Sequence, residues 1–351
     1  MIRCKECGFP DSRPGLFFED GVCGACVNYK KRKDIDWQAR RALLHQICGE
    51  YRGKTKYDCL IPVSGGKDSH MLVHTLVKEE GMTPLLCTVT DSFTHTNAGT
   101  YNLRNLIERF NCNHYQYTIS HDLFKRATRV AFEDTGEALK FVEYAIYTIP
   151  FSLAQQFNIP LVFFGENSAF EYGTTSAETM QGNHAVKTII EKIEEERPWW
   201  ERRGITRGEL NSLLPPITSY DNPRLYFMSY FTPWSSVENL KIARQYGFHD
   251  LSGEWEREGV CENFEQIDSV AYMTHLSLKY PKFGFARVSD IACRRVREGS
   301  LTKEEALKLI AEKDSIFDGW ALKDFCDTCG YSEEEFWNVV KKHDRSKEWG
   351  K

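Results

Sequence analysis

Ser64-Gly65-Gly66-Lys67-Asp68-Ser69 gathers anion-binding groups into six consecutive residues. The two glycines let the backbone approach a phosphate closely, and two hydroxyls and the Lys67 ammonium supply further donors. A short apolar run, Cys59-Leu60-Ile61-Pro62-Val63, precedes the string. A helical pattern follows it, with Met71, Leu72, Leu76 and Val77 on an apolar face. Strand, glycine turn and helix N-terminus in that order make an anion site. The first N–H groups of the helix point at the ligand, and the helix dipole adds roughly half a positive charge. A Walker A loop is excluded, because its G-x-x-x-x-G-K-[ST] spacing is absent.

Cysteines form the second constellation. Cys4-x2-Cys7 and Cys23-x2-Cys26 match the spacing of a four-thiolate zinc site. Such a site is closed and tetrahedral, so the metal is structural. Residues 1–30 are too few to bury a core of their own, so the metal is expected to supply their stability. Docking on the main domain, docking on a partner and nucleic-acid binding all stay open for this unit. A late pair, Cys326-x2-Cys329, has no second pair and reads as buried thiols.

A third group stands at predicted strand ends. The apolar run from Pro84 to Val89 ends at Thr90-Asp91, and ligands of doubly wound sheets sit at carboxyl ends of strands. Thr90 is therefore placed to meet a nucleotide. Ile159 to Phe164 is a fully apolar strand ending at Gly165-Glu166-Asn167, with Glu171-Tyr172-Gly173 just beyond. A strand-end carboxylate beside a phosphate site suits a magnesium ion or a substrate contact. A helix-capping role is the alternative for Glu166, and the functional reading is favoured over it. Arg287 suits phosphate or carboxylate recognition as well as it suits a solvated helix face. Arg294, Arg295 and Arg297 read as solvated.

The elements that must position these groups follow from periodicity. Strands and helices alternate through residues 57–170, which predicts an α/β fold with a doubly wound parallel sheet. The expected units are a four-cysteine zinc knuckle at 1–30, a linker helix at 31–56 and a phosphate-binding α/β core at 57–173. A lid or substrate-binding insertion at 174–235 and a helical C-terminal region at 236–351 complete them. The linker opens with Lys30-Lys31-Arg32-Lys33, read as solvated. The 174–235 segment carries Pro198-Trp199-Trp200, Pro215-Pro216 and an aromatic group from Tyr226 to Trp234. Hydrophobic residues at 41% and charged residues at 27% suit a globular enzyme. No apolar run reaches the ~18 residues of a membrane span, and a signal-peptide core is absent, so a soluble cytoplasmic protein is expected. The net charge of −5 argues against a broad nucleic-acid footprint.

The Ser64 to Ser69 loop resembles the SGGxDS loop of the ATP-pyrophosphatase (PP-loop) superfamily. The wider ordered set resembles the N-acetyl sugar amidotransferase family, which includes the pseudaminic acid and O-antigen acetamidino-forming enzymes. That set is the four-cysteine knuckle, the loop, Asn97-x-Gly99-x2-Asn102, Gly165-Glu166-Asn167 with Glu171-Tyr172-Gly173, Tyr246-Gly247-Phe248 and Lys282-Phe283-Gly284-Phe285. The resemblance implies an adenine nucleotide alpha hydrolase-like fold. It also implies conversion of a sugar acetamido group to acetamidino, by adenylylation and ammonia attack with release of AMP and pyrophosphate. Gly65, Gly66 and Ser69 would hold the pyrophosphate part of ATP, with Ser64 and Lys67 adding donors. Asp68 would orient magnesium, with Glu166 second. Glu166, Glu171 and Tyr172 would contact the acetamido end or guide ammonia. Thr90, Gly165 and Arg287 complete the expected nucleotide contacts. The substrate would be an N-acetylated sugar or nucleotide sugar. Ammonia would come from a separate glutaminase through a channelling subunit, or from solution. The nearest rival is a tRNA-modifying PP-loop enzyme of the thiolation or lysidine type. A zinc-ribbon interaction protein that only senses ATP is a rival of another class.

Overall fold

A computed structural model describes residues 1–213 and 217–348. The chain begins with a small module: a hairpin of β1 (Phe18–Glu19) and β2 (Val22–Cys23), then α1 (Gly24–Lys31) and α2 (Trp37–Tyr51). β3 (Cys59–Pro62), α3 (Lys67–Val73), β4 (Pro84–Thr90), α4 (Asn97–Phe110) and β5 (Asn113–Thr118) follow. Then come α5 (His121–Thr135), α6 (Lys140–Gln156), β6 (Leu161–Phe164), α7 (Ser168–Glu171), α8 (Asn183–Glu201), α9 (Arg207–Asn211) and β7 (Arg224–Phe227). The remainder is helical: α10 (Ser236–Gln245), α11 (Tyr272–Ser277), α12 (Lys279–Phe283), α13 (Arg287–Arg297), α14 (Lys303–Lys313), α15 (Gly319–Cys329) and α16 (Glu333–His343).

β3 to β7 form one sheet in the order β5-β4-β3-β6-β7, and every pair is parallel. This is the doubly wound α/β arrangement expected from the alternating pattern. Leu60, in the middle of β3, pairs with Leu85 on one side and Val162 on the other. The chain builds β3, β4 and β5 in one direction and then returns to place β6 and β7 beyond β3. The switch point therefore lies between β3 and β6, where a crevice opens at the carboxyl ends of the strands. One face of the sheet is covered mainly by α5, α6, α8, α15 and α16, around Phe132, Phe141, Trp200 and Phe325. The other face is covered by α2, α3 and α4, with Leu44, Leu72, Leu106 and Phe231. Strands buried on both faces account for the continuous apolar runs in the sequence.

Two boundaries move. The fifth strand, β7, lies inside the segment read as a lid, and α8 from that segment packs on the sheet. Trp200, Tyr226, Phe227 and Phe231 are core residues. The sheet thus runs past residue 173, and the aromatic segment is largely scaffold. Pro215 and Pro216 lie outside the described residues. The cysteine module also does not stand apart. Phe9 packs against Phe285 with tilted rings whose centroids are 5.0 Å apart, and the module shares a core with Val288, Ala292, Ala306 and Ile310 of α13 and α14. Among the described residues no helix is long and apolar enough to cross a membrane.

Candidate active site

The loop between β3 and α3 is held open by its own bonds. Gly65 has φ +85°, and a Cβ there would lie 2.5 Å from the Leu103 amide nitrogen. Only glycine fits both constraints. The Ser64 N–H donates to Ser69 Oγ at 3.0 Å, and the Gly66 N–H to Ser64 Oγ at 3.3 Å. Ser69 is therefore internal to the turn. Lys67 is buried, and its Nζ lies 2.7 Å from Asp68 Oδ2 and 3.6 Å from Glu265 Oε1. Burial works against the Lys67 charge, yet Asp68 and Glu265 outweigh it and raise its pKa. Asp68 Oδ1 accepts from Asn239 Nδ2 at 2.7 Å.

Glu265 is the hub opposite the loop. It accepts from Ser236 Oγ, Arg287 and Arg294, and its side chain is 3% exposed. Burial pushes its carboxyl up, but Arg294, Lys67 and Arg287 together hold it well below the usual range. Arg257, itself buried, clamps the supporting loop by donating to the carbonyls of Glu262, Glu265 and Gln266 at 2.8–3.1 Å. The Nε atoms of Arg287 and Arg294 are buried without a protein partner. Both residues line the pocket, and a buried donor left unpaired is costly.

Glu166 ends β6 beside the loop. Asn167, not Glu166, caps α7, its side chain accepting from the Phe170 N–H. No ion-pair partner lies within reach of the Glu166 carboxylate among the described residues. Burial, with the neighbouring Asp68 and Glu171 charges, raises its pKa to about 7. Tyr172 is pushed up to about 12 by the Glu166 charge and by burial. Glu171 forms an ion pair with Arg32, which also donates to the Trp234 carbonyl at 3.1 Å.

Ser64, Gly66, Lys67, Asp68, Glu166, Glu171, Tyr172 and Arg287 thus line one pocket of about 120 Å³. Gly65 and Ser69 shape it from behind. Gly165 lines neither this pocket nor its neighbour: Trp234 covers it, with a ring carbon 3.0 Å from where a Cβ would stand. Thr90 lies in an adjoining cleft of about 440 Å³ between β4, β5 and α4, bordered by Val89, Leu103, Ile107 and Gln116. Ser64 and Asp268 border both spaces. The Thr90 hydroxyl is buried there without a protein partner.

Several pocket residues were read as solvated or not singled out. Arg32 is not part of a free linker, and Arg294 and Arg297 are not on an exposed face; all three line the pocket. A signal existed for Arg294, which stands seven residues after Arg287 and so on the same helix face. Glu265, in irregular chain, had none. Asn102 is a clamp: it donates to the His249 carbonyl at 2.7 Å and accepts from the His249 N–H at 2.8 Å. Its place in the ordered set reflects packing of α4 on the loop after Tyr246-Gly247-Phe248.

α1, with the residue that follows it, forms a wall of the pocket through Ala25, Asn28, Tyr29 and Arg32. It is carried by the cysteine cluster. The four Sγ atoms of Cys4, Cys7, Cys23 and Cys26 lie within 4.8 Å of one another, with Cys4–Cys26 at 3.9 Å and Cys7–Cys23 at 3.7 Å. A tetrahedral zinc with Zn–S near 2.3 Å requires sulfur separations of about 3.8 Å. The cluster fits a four-thiolate metal of that size.

Residues 258–351 match the family model described as LPS biosynthesis protein WbpG-like, C-terminal domain. That segment carries Glu265, Arg287, Arg294 and Arg297, the basic side of the pocket. No curated protein matches the chain. Similar solved structures include an NH3-dependent NAD synthetase from Campylobacter jejuni, at 16% identity and TM-score 0.32, covering 51% of this chain and 93% of that one. An NMN synthetase from Francisella tularensis, at 14% identity and TM-score 0.31, covers 60% and 93%. The U34-tRNA thiolase NcsA from Methanococcus maripaludis, with its [4Fe-4S] cluster, covers 93% and 95% at 12% identity and TM-score 0.34. Similarity at this level says nothing about substrate.

Proposed function

We propose that the chain is an ATP-dependent amidotransferase that converts a sugar N-acetyl group to an acetamidino group and releases AMP and pyrophosphate. The observation that carries this reading is the single pocket itself. A glycine loop at a helix N-terminus shares it with Arg287 and Arg294, and Glu166, a carboxylate without an ion-pair partner, lines it too. The C-terminal match to an LPS biosynthesis domain supports a role in surface-polysaccharide or nonulosonic acid sugar assembly.

ATP fits with its phosphates on Ser64, Gly66 and Lys67 and its nucleoside in the cleft at Thr90. Magnesium fits beside Asp68, where it would neutralise phosphate charge. Zinc fits the four thiolates as a structural ion. The acetamido oxygen attacks the α-phosphorus; its O–P bond forms as the bond to pyrophosphate breaks. Lys67, Arg287 and Arg294 stabilise the departing charge. Ammonia then adds to the activated carbon, the C–O bond breaks and AMP leaves with the oxygen. Glu166 takes the proton shed by the incoming nitrogen; a carboxyl poised near neutrality suits that task. Glu171 acts differently: bound to Arg32, it holds the α1 wall in place. Ammonia is supplied by a separate glutaminase with a channelling subunit. A cytoplasmic location follows from the need for ATP.

The thiolation alternative loses its sulfur carriers. Cys326 and Cys329 are buried in the core, and burial pushes their thiols up to about 11 and 12. The deciding assay supplies ATP, magnesium and ammonia with a panel of N-acetylated sugars. AMP, pyrophosphate and a product lighter by the difference between O and NH are expected. Release of ADP, or no sugar-dependent AMP, would overturn the proposal.

A further inference from the structure

Helix α13 stands between two charged centres. Arg287 and Arg294 turn toward Glu265 in the pocket. Cys293 and Arg297, one helical turn apart, turn toward the cysteine cluster. Cys293 Sγ donates to the Cys7 carbonyl at 3.1 Å, and Arg297 Nη1 lies 3.9 Å from Cys7 Sγ. Arg297 also lines the pocket beside Arg32 and Glu298. Four thiolates around a divalent ion carry a net charge of about −2, enough to hold a guanidinium. Once the metal leaves, the four sulfurs are no longer held in one arrangement and the Arg297 contact to Cys7 is released. Arg297 is then left to the carboxylates of the pocket.

We infer that Arg297 is a positioning residue shared by the metal centre and the pocket, so that metal occupancy and pocket ligand binding are linked. The module stays docked without it, because Arg13 pairs with Asp290 and Phe9 packs on Phe285. Linkage is reciprocal: a ligand that fixes Arg297 tightens metal binding by the same factor by which the metal tightens the ligand. The identity of that ligand, and nothing else in the inference, rests on the ATP reading.

The test uses the full chain loaded with Co2+, whose thiolate-to-metal absorption reports the centre directly. Cobalt release to an excess of chelator is followed in the wild type, Arg297→Met and Arg297→Lys, with and without a non-hydrolysable ATP analogue in excess magnesium. Release from Arg297→Met is expected to be about 10-fold faster or more, the usual effect of losing an outer hydrogen-bond partner of a ligand, with Arg297→Lys between. The analogue should slow release from the wild type and not from Arg297→Met. Arg13→Met, which weakens docking without touching sulfur, should leave the cobalt spectrum unchanged. Wild-type release rates in Arg297→Met, or an equal effect of the analogue on both proteins, would overturn the inference. If the analogue fails to bind wild type in equilibrium dialysis while Arg297→Met still sheds cobalt faster, the ATP reading falls and the Arg297 contact to the centre stands.

Discussion

Lys67 and Glu265 face each other at 3.6 Å across the pocket, one from the glycine loop and the other from irregular chain before α11. This pair ties the phosphate loop to the C-terminal helices. Glu265→Gln would leave buried Lys67 and Arg287, and half-buried Arg294, without their common counter-charge. Breaking a buried ion network from one side costs about 3–5 kcal/mol. The sign with pH follows from the depressed Glu265 carboxyl. Its contribution is present above the unfolded carboxyl pKa and is lost as pH falls through the folded value. Urea unfolding should show a large gap between wild type and Glu265→Gln at pH 7, closing only in strong acid.

Glu166 has the opposite sign. Its carboxyl is raised to about 7, so the folded state resists its ionisation. The wild type therefore loses stability as pH rises from the ordinary carboxyl range through neutrality, and Glu166→Gln does not. The variant should match the wild type at pH 4 and exceed it at pH 8, by on the order of 1–3 kcal/mol. It should lose amidine formation at every pH. In the wild type, the rate should climb through an apparent pKa near 7. A flat profile would remove Glu166 as proton acceptor.

The two loop glycines should separate. Gly65→Ala meets both the positive φ and the Leu103 backbone, so it should cost about 1–3 kcal/mol and abolish ATP binding. Gly66 has φ −66°, and its nearest obstacle is the Ser64 hydroxyl at 3.3 Å. Gly66→Ala should fold normally and weaken ATP binding alone. Calorimetric titration with urea unfolding distinguishes the two.

Cys326 and Cys329 should be chemically silent. Neither thiol should react with a thiol reagent faster than the protein unfolds. A Cys326→Ala, Cys329→Ala double variant should keep full activity. It should lose about 1–3 kcal/mol of stability from emptied core volume. Loss of turnover without loss of stability would restore a sulfur-carrying role.

The sequence made the sheet and the loop readable because both obey local rules. Apolar strands alternate with helices, and the six-residue string carries its own turn chemistry. The four cysteines were readable from spacing, since a metal fixes their geometry. β7 was hidden because four residues, Arg224–Phe227, are too short for a period to show. Arg294 and Arg297 were misread because a basic helix face looks the same whether it meets water or a pocket. Arg32 was masked by the lysines around it. Glu265 became visible only once distant segments met, and its role depends on three cations from two other elements.

The docking of the cysteine module on α13 has a consequence for synthesis. Cys7 and Cys293, now in contact, are 286 positions apart. At ~5–20 residues per second, the ribosome delivers the second on the order of tens of seconds after the first. During that interval the four thiols are made but their covering helix is not. Metal capture on the nascent chain would protect them, and a cell short of metal would expose them to oxidation before the pocket exists.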